Sequence, residues 1–297
     1  LRENVLMAAI TAQAVNEFRK RTGLGLMECK ALLVEAEGDL AKAETLAKEK
    51  GVIKAAGRAG RLTNAGRVEV AFGPDHATGA IVELNCETDF VARNDAFREA
   101  ARDLAQQVLA HGADGLADQK FHKNPAQTIA ALITELNSRT GENISVGKAA
   151  RFEGGRVEAY IHHDAKSAAL VEVSGSAGPE ALSTLARDLA LQVVAARPVA
   201  VGRDDVPADL VEEQRRINLA LVANTMGDKP EAVREKIATG KLDAWFKENT
   251  LLDQEFVKDP SKKVREVVAA VGADTKVGRF ARVAVGEAAP ETPATEG

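Results

Sequence analysis

The chain has 297 residues, 45% of them hydrophobic and 28% charged, with a formal net charge of −5. That length supports two or three domains, each with its own core. No apolar run approaches the roughly 20 residues of a membrane span, and the acidic balance argues against direct dependence on nucleic acid, whose binding needs clustered cations.

Polar residues interrupt the opening from Arg2 and Glu3 onward, so no secretory leader is read and a cytoplasmic location is expected. Met7-Ala8-Ala9-Ile10-Thr11 resembles a natural start, which makes residues 1–6 an expected foreign or upstream extension. The two cysteines, Cys29 and Cys86, lie far apart without metal-ligand spacing and are expected as free thiols. Residues 7–60 read as a small N-terminal helical domain. Thr11 can cap a first helix carrying Val15 and Phe18, and Thr22-Gly23-Leu24-Gly25 breaks it. Residues 26–37 form a second helix presenting Met27, Leu32 and Leu33. Gly38-Asp39 ends it, and Asp39 caps a third helix that buries Leu40, Ala43 and Leu46. A basic stretch follows (Lys48, Lys50, Lys54, Arg58, Arg61, Arg67), read either as a solvated helix end and linker or as a surface for RNA or the ribosome.

The chain then copies itself. Gly66-Arg67-Val68-Glu69-Val70 and Ala80-Ile81-Val82-Glu83-Leu84 return 89 residues later as Gly155-Arg156-Val157-Glu158-Ala159 and Ala169-Leu170-Val171-Glu172-Val173. At the next match, Ala101-Arg102-Asp103-Leu104-Ala105 against Ala186-Arg187-Asp188-Leu189-Ala190, the offset is 85. Each copy reads strand, turn, strand, helix, with apolar alternation at Val68, Val70 and Phe72 and at Val157, Ala159 and Ile161. The turns fall at Gly73-Pro74-Asp75 and His163-Asp164, and the helices at 96–110 and 180–195. A further helix is predicted over 126–139. The fold class is α+β: a small three-helix domain and a duplicated core with antiparallel sheets. The core divides into an N subdomain, 61–149, and a C subdomain, 150–203 and 250–272. An antiparallel helical hairpin is inserted at 204–249, its helices spanning 206–223, with Leu210, Ile217 and Leu221 at heptad-like spacing, and 230–249, with Val233 and Ile237 inward. A helix over 261–271 and a strand over 277–285 follow, the latter in a C-terminal module at 273–287, and the Pro/Ala/Thr/Glu run at 288–297 is expected to be disordered.

Four residues are therefore present in the first copy alone, between Leu84 and Ala101, in the segment that carries Thr88-Asp89-Phe90-Val91. Asp89 could act as a general acid or base, yet no second titratable group is spaced to work with it. Alternatively Thr88 or Asp89 caps a helical turn, with Phe90 in the core. The second copy has Ser174-Gly175-Ser176-Ala177-Gly178-Pro179 at this place, so the shared core does not demand an aromatic. Elsewhere there is no phosphate loop, no dinucleotide fingerprint beyond the short, basic Gly57-Arg58-Ala59-Gly60-Arg61, no H-E-x-x-H and no nucleophile elbow. His162 and His163 are adjacent on a strand and point to opposite faces, which is poor geometry for one metal ion. No enzyme, cofactor or metal is indicated.

Asn85-Cys86-Glu87-Thr88-Asp89-Phe90-Val91-Ala92-Arg93-Asn94 resembles the signature of the bacterial elongation factor Ts family, guanine-nucleotide exchange factors for elongation factor Tu. Further matches are Arg21-Thr22-Gly23-Leu24-Gly25-Leu26-Met27-Glu28-Cys29-Lys30 with Glu35-Ala36-Glu37-Gly38-Asp39, Leu251-Leu252-Asp253-Gln254-Glu255-Phe256-Val257-Lys258-Asp259, and Arg279-Phe280-Ala281-Arg282. Glu28, Ala31 and Glu255 depart from the usual Asp, Lys and Pro. The resemblance implies a ubiquitin-associated-like N-terminal domain and elongation factor Tu as partner. It assigns Thr88, Asp89, Phe90 and Val91 to dislocating Mg²⁺ from that GTPase, with Asp89 and Phe90 wedged beside its magnesium site. It also implies partner contacts at Val15, Arg93, Asn94, Phe280 and His162, the last within a Tyr160-Ile161-His162 match. A homodimer is left open.

Overall fold

The computed structural model describes residues 11–22, 24–49, 61–226 and 229–287. Residues 1–6, the tail from 288, and Lys50, Lys54 and Arg58 of the basic stretch lie outside them. The described residues group into two compact units, one drawn from Leu1–Gly66, Leu84–Ala100 and Asp114–Gly147, the other from Arg67–Glu83, Ala101–Ala113 and Lys148–Gly297.

In the first unit, helices α1 (Ala12–Thr22), α2 (Leu26–Glu35) and α3 (Leu40–Glu49) surround Val15, Phe18, Leu24, Cys29, Leu32, Leu33, Ala36, Ala43 and Ala47. Thr11 caps α1 by accepting from Ala14 N at 3.1 Å. Gly38, at φ +87°, closes α2 by donating to Leu33 O at 2.8 Å, and the Asp39 carboxylate then receives the Ala41 and Lys42 amides at 2.8 and 3.1 Å. One sequence expectation fails: Met27 is 74% exposed and Leu26 51%. The helical period that buries Cys29, Leu32 and Leu33 turns Leu26 and Met27 to solvent.

Later in the same unit come β3 (Lys120–Phe121), β4 (Asn124–Thr128) and α6 (Ile129–Thr140). The helix predicted from residue 126 starts three residues later because Thr128 is its cap, accepting from Ala131 N at 3.2 Å. The residues before it pair with β3 instead.

Two three-stranded sheets carry the duplication, ordered β1-β2-β5 and β10-β7-β6, from β1 (Ala65–Phe72), β2 (Thr78–Cys86), β5 (Ser145–Glu153), β6 (Arg156–Ile161), β7 (Ser167–Ser174) and β10 (Lys276–Ala284). In the second unit the pseudo-twofold relation is visible in single hydrogen bonds. His76 and Ala165, equivalent turn residues, both sit at φ +56°, and each offers its carbonyl to the other copy: Val157 N to His76 O and Val68 N to Ala165 O, both at 2.8 Å. Val68, Ile81, Phe152, Val157, Ala168, Leu170 and Val283 fill the shared interior. Gly155 is required there, since a Cβ would lie 2.5 Å from Val173 O.

Helix α7 (Pro179–Ala196) packs on β6 and β7. Helices α8 (Ala208–Thr225) and α9 (Glu231–Asn249) form the inserted hairpin and pack on one another. Their seam differs from the predicted one. Val222, Ala238 and Asn218 are buried, whereas Ile217, Leu221 and Val233 are 48%, 45% and 42% exposed.

After the hairpin, β8 (Glu255–Phe256), β9 (Asp259–Lys263) and α10 (Val264–Val271) repeat β3, β4 and α6. Phe256 faces Asp259 as Phe121 faces Asn124, and Glu255 faces Lys263 as Lys120 faces Thr128. The helix predicted from residue 261 therefore begins at Val264. Strand β10 then joins β7 from Lys276↔Ser174 to Ala284↔Ser167 and completes the second sheet. The duplication thus covers the whole core. Between the copies the offset grows from 85 at Ala101/Ala186 to 135 at Phe121/Phe256, so the second copy has gained 50 residues, which contain the hairpin.

Candidate functional site

Strand β2 ends at Cys86, and the chain then makes α4 (Asp89–Ala92), a single turn, before α5 (Asp95–His111). Thr88 is the N-cap, with extended backbone and its hydroxyl accepting from Val91 N at 3.4 Å. The capping reading of this residue holds. The core reading of Phe90 does not: its side chain is 91% exposed. Within the α4 turn Ala92 is buried and Val91 half-buried, so the turn seats on those two and does not need Phe90 as an anchor. That anchor is Phe97, 1% exposed, on the face of α5 that also buries Ala101, Leu104, Ala105 and Val108.

The turn is tied down at its first residues. Glu142, just past the end of α6, accepts the Glu87 and Thr88 amides on Oε2, both at 3.1 Å, and the Thr88 hydroxyl on Oε1 at 2.5 Å. The Glu87 carboxylate reaches back, accepting Asn143 N at 2.7 Å and pairing with Arg61 at 3.3 Å, while Asn143 Nδ2 donates to Arg61 O at 2.9 Å. From beneath, the Cys86 thiol donates to Thr88 O at 3.2 Å. Burial pushes that thiol up to about 12, with the Glu142 charge adding to the effect, so at neutral pH it is a fixed S–H donor. On the far side Asn94 caps α5, its carbonyl oxygen Oδ1 accepting from Ala96 N at 2.9 Å. Beside this mount Leu62 is 80% exposed, and an open hollow of about 470 Å³ is lined by Thr63, Ile129, Ile133 and Ile144.

The remaining sequence-predicted residues sit in different settings. Asp89, in the first turn of α4, and Arg93, at its end, are exposed. Val91 is half-buried, and Asn94 is exposed but structurally employed as the cap. Val15 is 6% exposed within the three-helix core and offers little surface to a partner. Leu26 and Met27 are what that helical unit displays. In the second unit, the Tyr160 hydroxyl lies 3.3 Å from His162 Nδ1, at an open groove of 320 Å³ also lined by Ser167, Leu191, Val194 and Arg197. Phe280 is half-buried against the core under α7. Of the basic stretch, Arg61 is paired with Glu87 and Arg67 with Glu69 at 2.6 Å. Among the described residues no group of three His, Cys, Asp or Glu side chains could hold a metal ion, and no helix is long and apolar enough to cross a membrane.

Sequence reasoning did not find Glu142. It belongs to no motif and lies 54 residues from Thr88. The available signal was a second copy of the same arrangement: Asp274, just past α10, accepts the Ser176 amide at 2.8 Å and its hydroxyl at 3.0 Å.

Fold and site together define a duplicated α+β scaffold that displays an aromatic on a capped turn rather than burying it. The Elongation factor TS family model matches residues 87–287. The Elongation factor Ts of Halorhodospira halophila (strain DSM 244 / SL1) is 40% identical over 279 residues, covering 94% of this chain and 93% of the relative. That of Amoebophilus asiaticus (strain 5a2) is 39% identical, covering 94% and 99%, and that of Aquifex aeolicus (strain VF5) is 34% identical, covering 94% and 98%. The chain belongs to the elongation factor Ts family, translation elongation factors that act as nucleotide exchange factors for elongation factor Tu.

Proposed function

We propose that this protein releases GDP from elongation factor Tu by inserting Asp89 and Phe90 beside the partner's magnesium site, with Thr88 and Val91 holding the inserted turn. The observation that carries this reading is the 91% exposure of Phe90 on a turn held by Glu142 and capped by Thr88. An exposed Phe costs free energy in water and regains it when a partner covers it. An exchange factor must bind the nucleotide-free partner better than the nucleotide-bound one, and linkage makes that weakening mutual. Phe90 entering between elements of the partner displaces the groups that hold Mg²⁺, and Asp89 brings a negative charge beside the phosphates the ion had neutralised. Both effects weaken GDP.

Burial of one Phe supplies roughly 1.5–3 kcal/mol, or one to two factors of ten. Loosening a tightly held nucleotide requires more, so further contacts share the work. The exposed Leu26 and Met27, the exposed Arg93, the Tyr160–His162 groove and β10 around Phe280 are the surfaces available for it. Val15, inside its own core, supports the first of these surfaces without forming it. The role belongs in the cytoplasm, and the ion pairs of Arg61 and Arg67 favour it over an RNA-binding one.

The test is release of a fluorescent GDP analogue from elongation factor Tu. Phe90→Ala is expected to slow factor-stimulated release roughly ten- to a hundredfold. Undiminished stimulation by that variant would remove Phe90 from the mechanism.

A further inference from the structure

The direction in which Phe90 points is not set by Phe90. At 91% exposure its ring has almost no packing to hold it, so it inherits its direction from the backbone of α4. That helix is one turn of four residues, too short to persist on its own, because the first turn fixes several dihedral angles for one hydrogen bond. Its geometry must come from its attachments, and these converge on one carboxylate.

We propose that Glu142 is a positioning residue for exchange, fixing the pitch at which Asp89 and Phe90 project from the end of β2. The proposal rests on the reading of Phe90 given above. Glu142 gathers two successive amides and a hydroxyl, and hydrogen bonds to an ionised acceptor are about twice as strong as neutral ones. The third bond does more than anchor. By accepting the hydrogen bond of the Thr88 hydroxyl, at an O···O distance of 2.5 Å, Glu142 fixes the rotor of that hydroxyl, leaving a lone pair directed at Val91 N. The carboxylate thereby builds the cap as well as the base of the turn.

Glu142 is itself held in place. Gly141, at φ +79°, ends α6, and Glu142 N donates to Thr140 Oγ1 at 3.3 Å. The next amide, Asn143 N, is bound by the Glu87 carboxylate at 2.7 Å. Two adjacent residues on each side are thus cross-tied, which resists rotation of the turn where a single bond would act as a hinge. Asp274 makes the like contacts to Ser176 in the second copy, where no aromatic follows, so the tie belongs to the scaffold and the first copy has put it to use.

The experiment compares Glu142→Gln, Phe90→Ala, the double variant and Asp274→Asn in the full chain. Two readouts are taken: amide hydrogen exchange at Thr88 and Val91 in the free protein, and stimulated release of the fluorescent GDP analogue from elongation factor Tu. Glutamine keeps the length but loses the charge and sets an amide N–H₂ against donors. Amide exchange at Thr88 and Val91 is expected to rise roughly tenfold or more, and stimulated release to fall by roughly tenfold. In the Phe90→Ala background Glu142→Gln should change release no further, because there is no ring left to aim. Asp274→Asn should leave release unchanged. Full stimulation by Glu142→Gln, unaltered amide exchange, an equal loss in the Phe90→Ala background, or an equal loss from Asp274→Asn would each overturn the proposal. A Phe90→Ala protein with normal stimulation would instead sink the underlying reading, and the positioning role with it. Should Glu142→Gln not fold, Thr88→Val removes the same hydroxyl link and is judged by the same outcomes.

Discussion

At the end of β2 the chain leaves its sheet through Glu87 and Thr88, and at the end of β7 it leaves through Gly175 and Ser176. Both exits are tied by a hydroxyl and an amide to a carboxylate that follows a helix, Glu142 in one copy and Asp274 in the other. Both lead into a long helix, α5 or α7, that buries an apolar face. Between exit and helix the first copy has eight residues, 87–94, and the second has four, 175–178. The comparison separates what a corner of this fold needs from what has been added. It needs the tie and the helix. The aromatic turn between them is the addition, and its exposure is consistent with a partner being the thing that covers it.

The largest expected effect tests that separation with two phenylalanines seven positions apart. Phe97 belongs to the shared scaffold, its counterpart in α7 being Leu182, and it is 1% exposed. Phe97→Ala is expected to destabilise the protein by about 3–5 kcal/mol, and Leu182→Ala by about 2–5 kcal/mol. Phe90→Ala should shift stability by no more than about 0.5 kcal/mol. Urea unfolding followed by circular dichroism measures all three. A Phe90→Ala protein as unstable as Phe97→Ala would mean the turn is part of the core after all.

Next in size is the exchange of one exit for the other. Replacing residues 87–94 with Gly-Ser-Ala-Gly, the run at 175–178, keeps a serine for Glu142 to hold and removes the aromatic turn. The chimaera should fold, bind elongation factor Tu more weakly, and lose roughly ten- to a hundredfold in stimulated GDP release. A chimaera that still accelerates release normally would show that the difference between the copies is neutral drift.

Much of this architecture was legible in the residue pattern, and the exceptions have physical causes. The 89-residue repeat exposes both hairpins, because paired strands leave alternating apolar residues whose partners recur at the same spacing. The short pairs β3-β4 and β8-β9 were missed, since two- to five-residue strands with Pro125 and Pro260 carry too little alternation to read. Met27 was grouped with Leu32 and Leu33, and Val233 was expected inward, because apolar character was taken to mean burial; Ile217 and Leu221 keep their heptad-like spacing yet stay largely exposed. Helical phase decides otherwise: Val222 and Ala238 hold the hairpin seam with Asn218 beside them. In the site, Thr88 as a cap follows from its residue type and place. Glu142 does not, because a tie spanning 54 residues leaves no local signature.

The smallest effect concerns the tie in the second copy alone. The Ser176 hydroxyl and amide, both donating to Asp274, hold its carboxyl below the usual carboxylate range. A depressed folded-state value means the group adds stability above its unfolded value, about 3.9 for Asp, and loses that contribution as the pH falls through the folded one. Asp274→Asn cannot titrate. Its melting temperature should therefore lie slightly below that of the parent protein at pH 7, and the gap should close as the pH falls below about 4. Because the site is exposed, salt should shrink the gap as well. Thermal unfolding of both proteins between pH 3 and pH 7, each assayed at low and high salt, measures it. A gap that persists unchanged to pH 3 would mean that Asp274 contributes through shape rather than charge. The two ties would then differ in kind, and the scaffold's carboxylate would have become an electrostatic device only where it holds the aromatic turn.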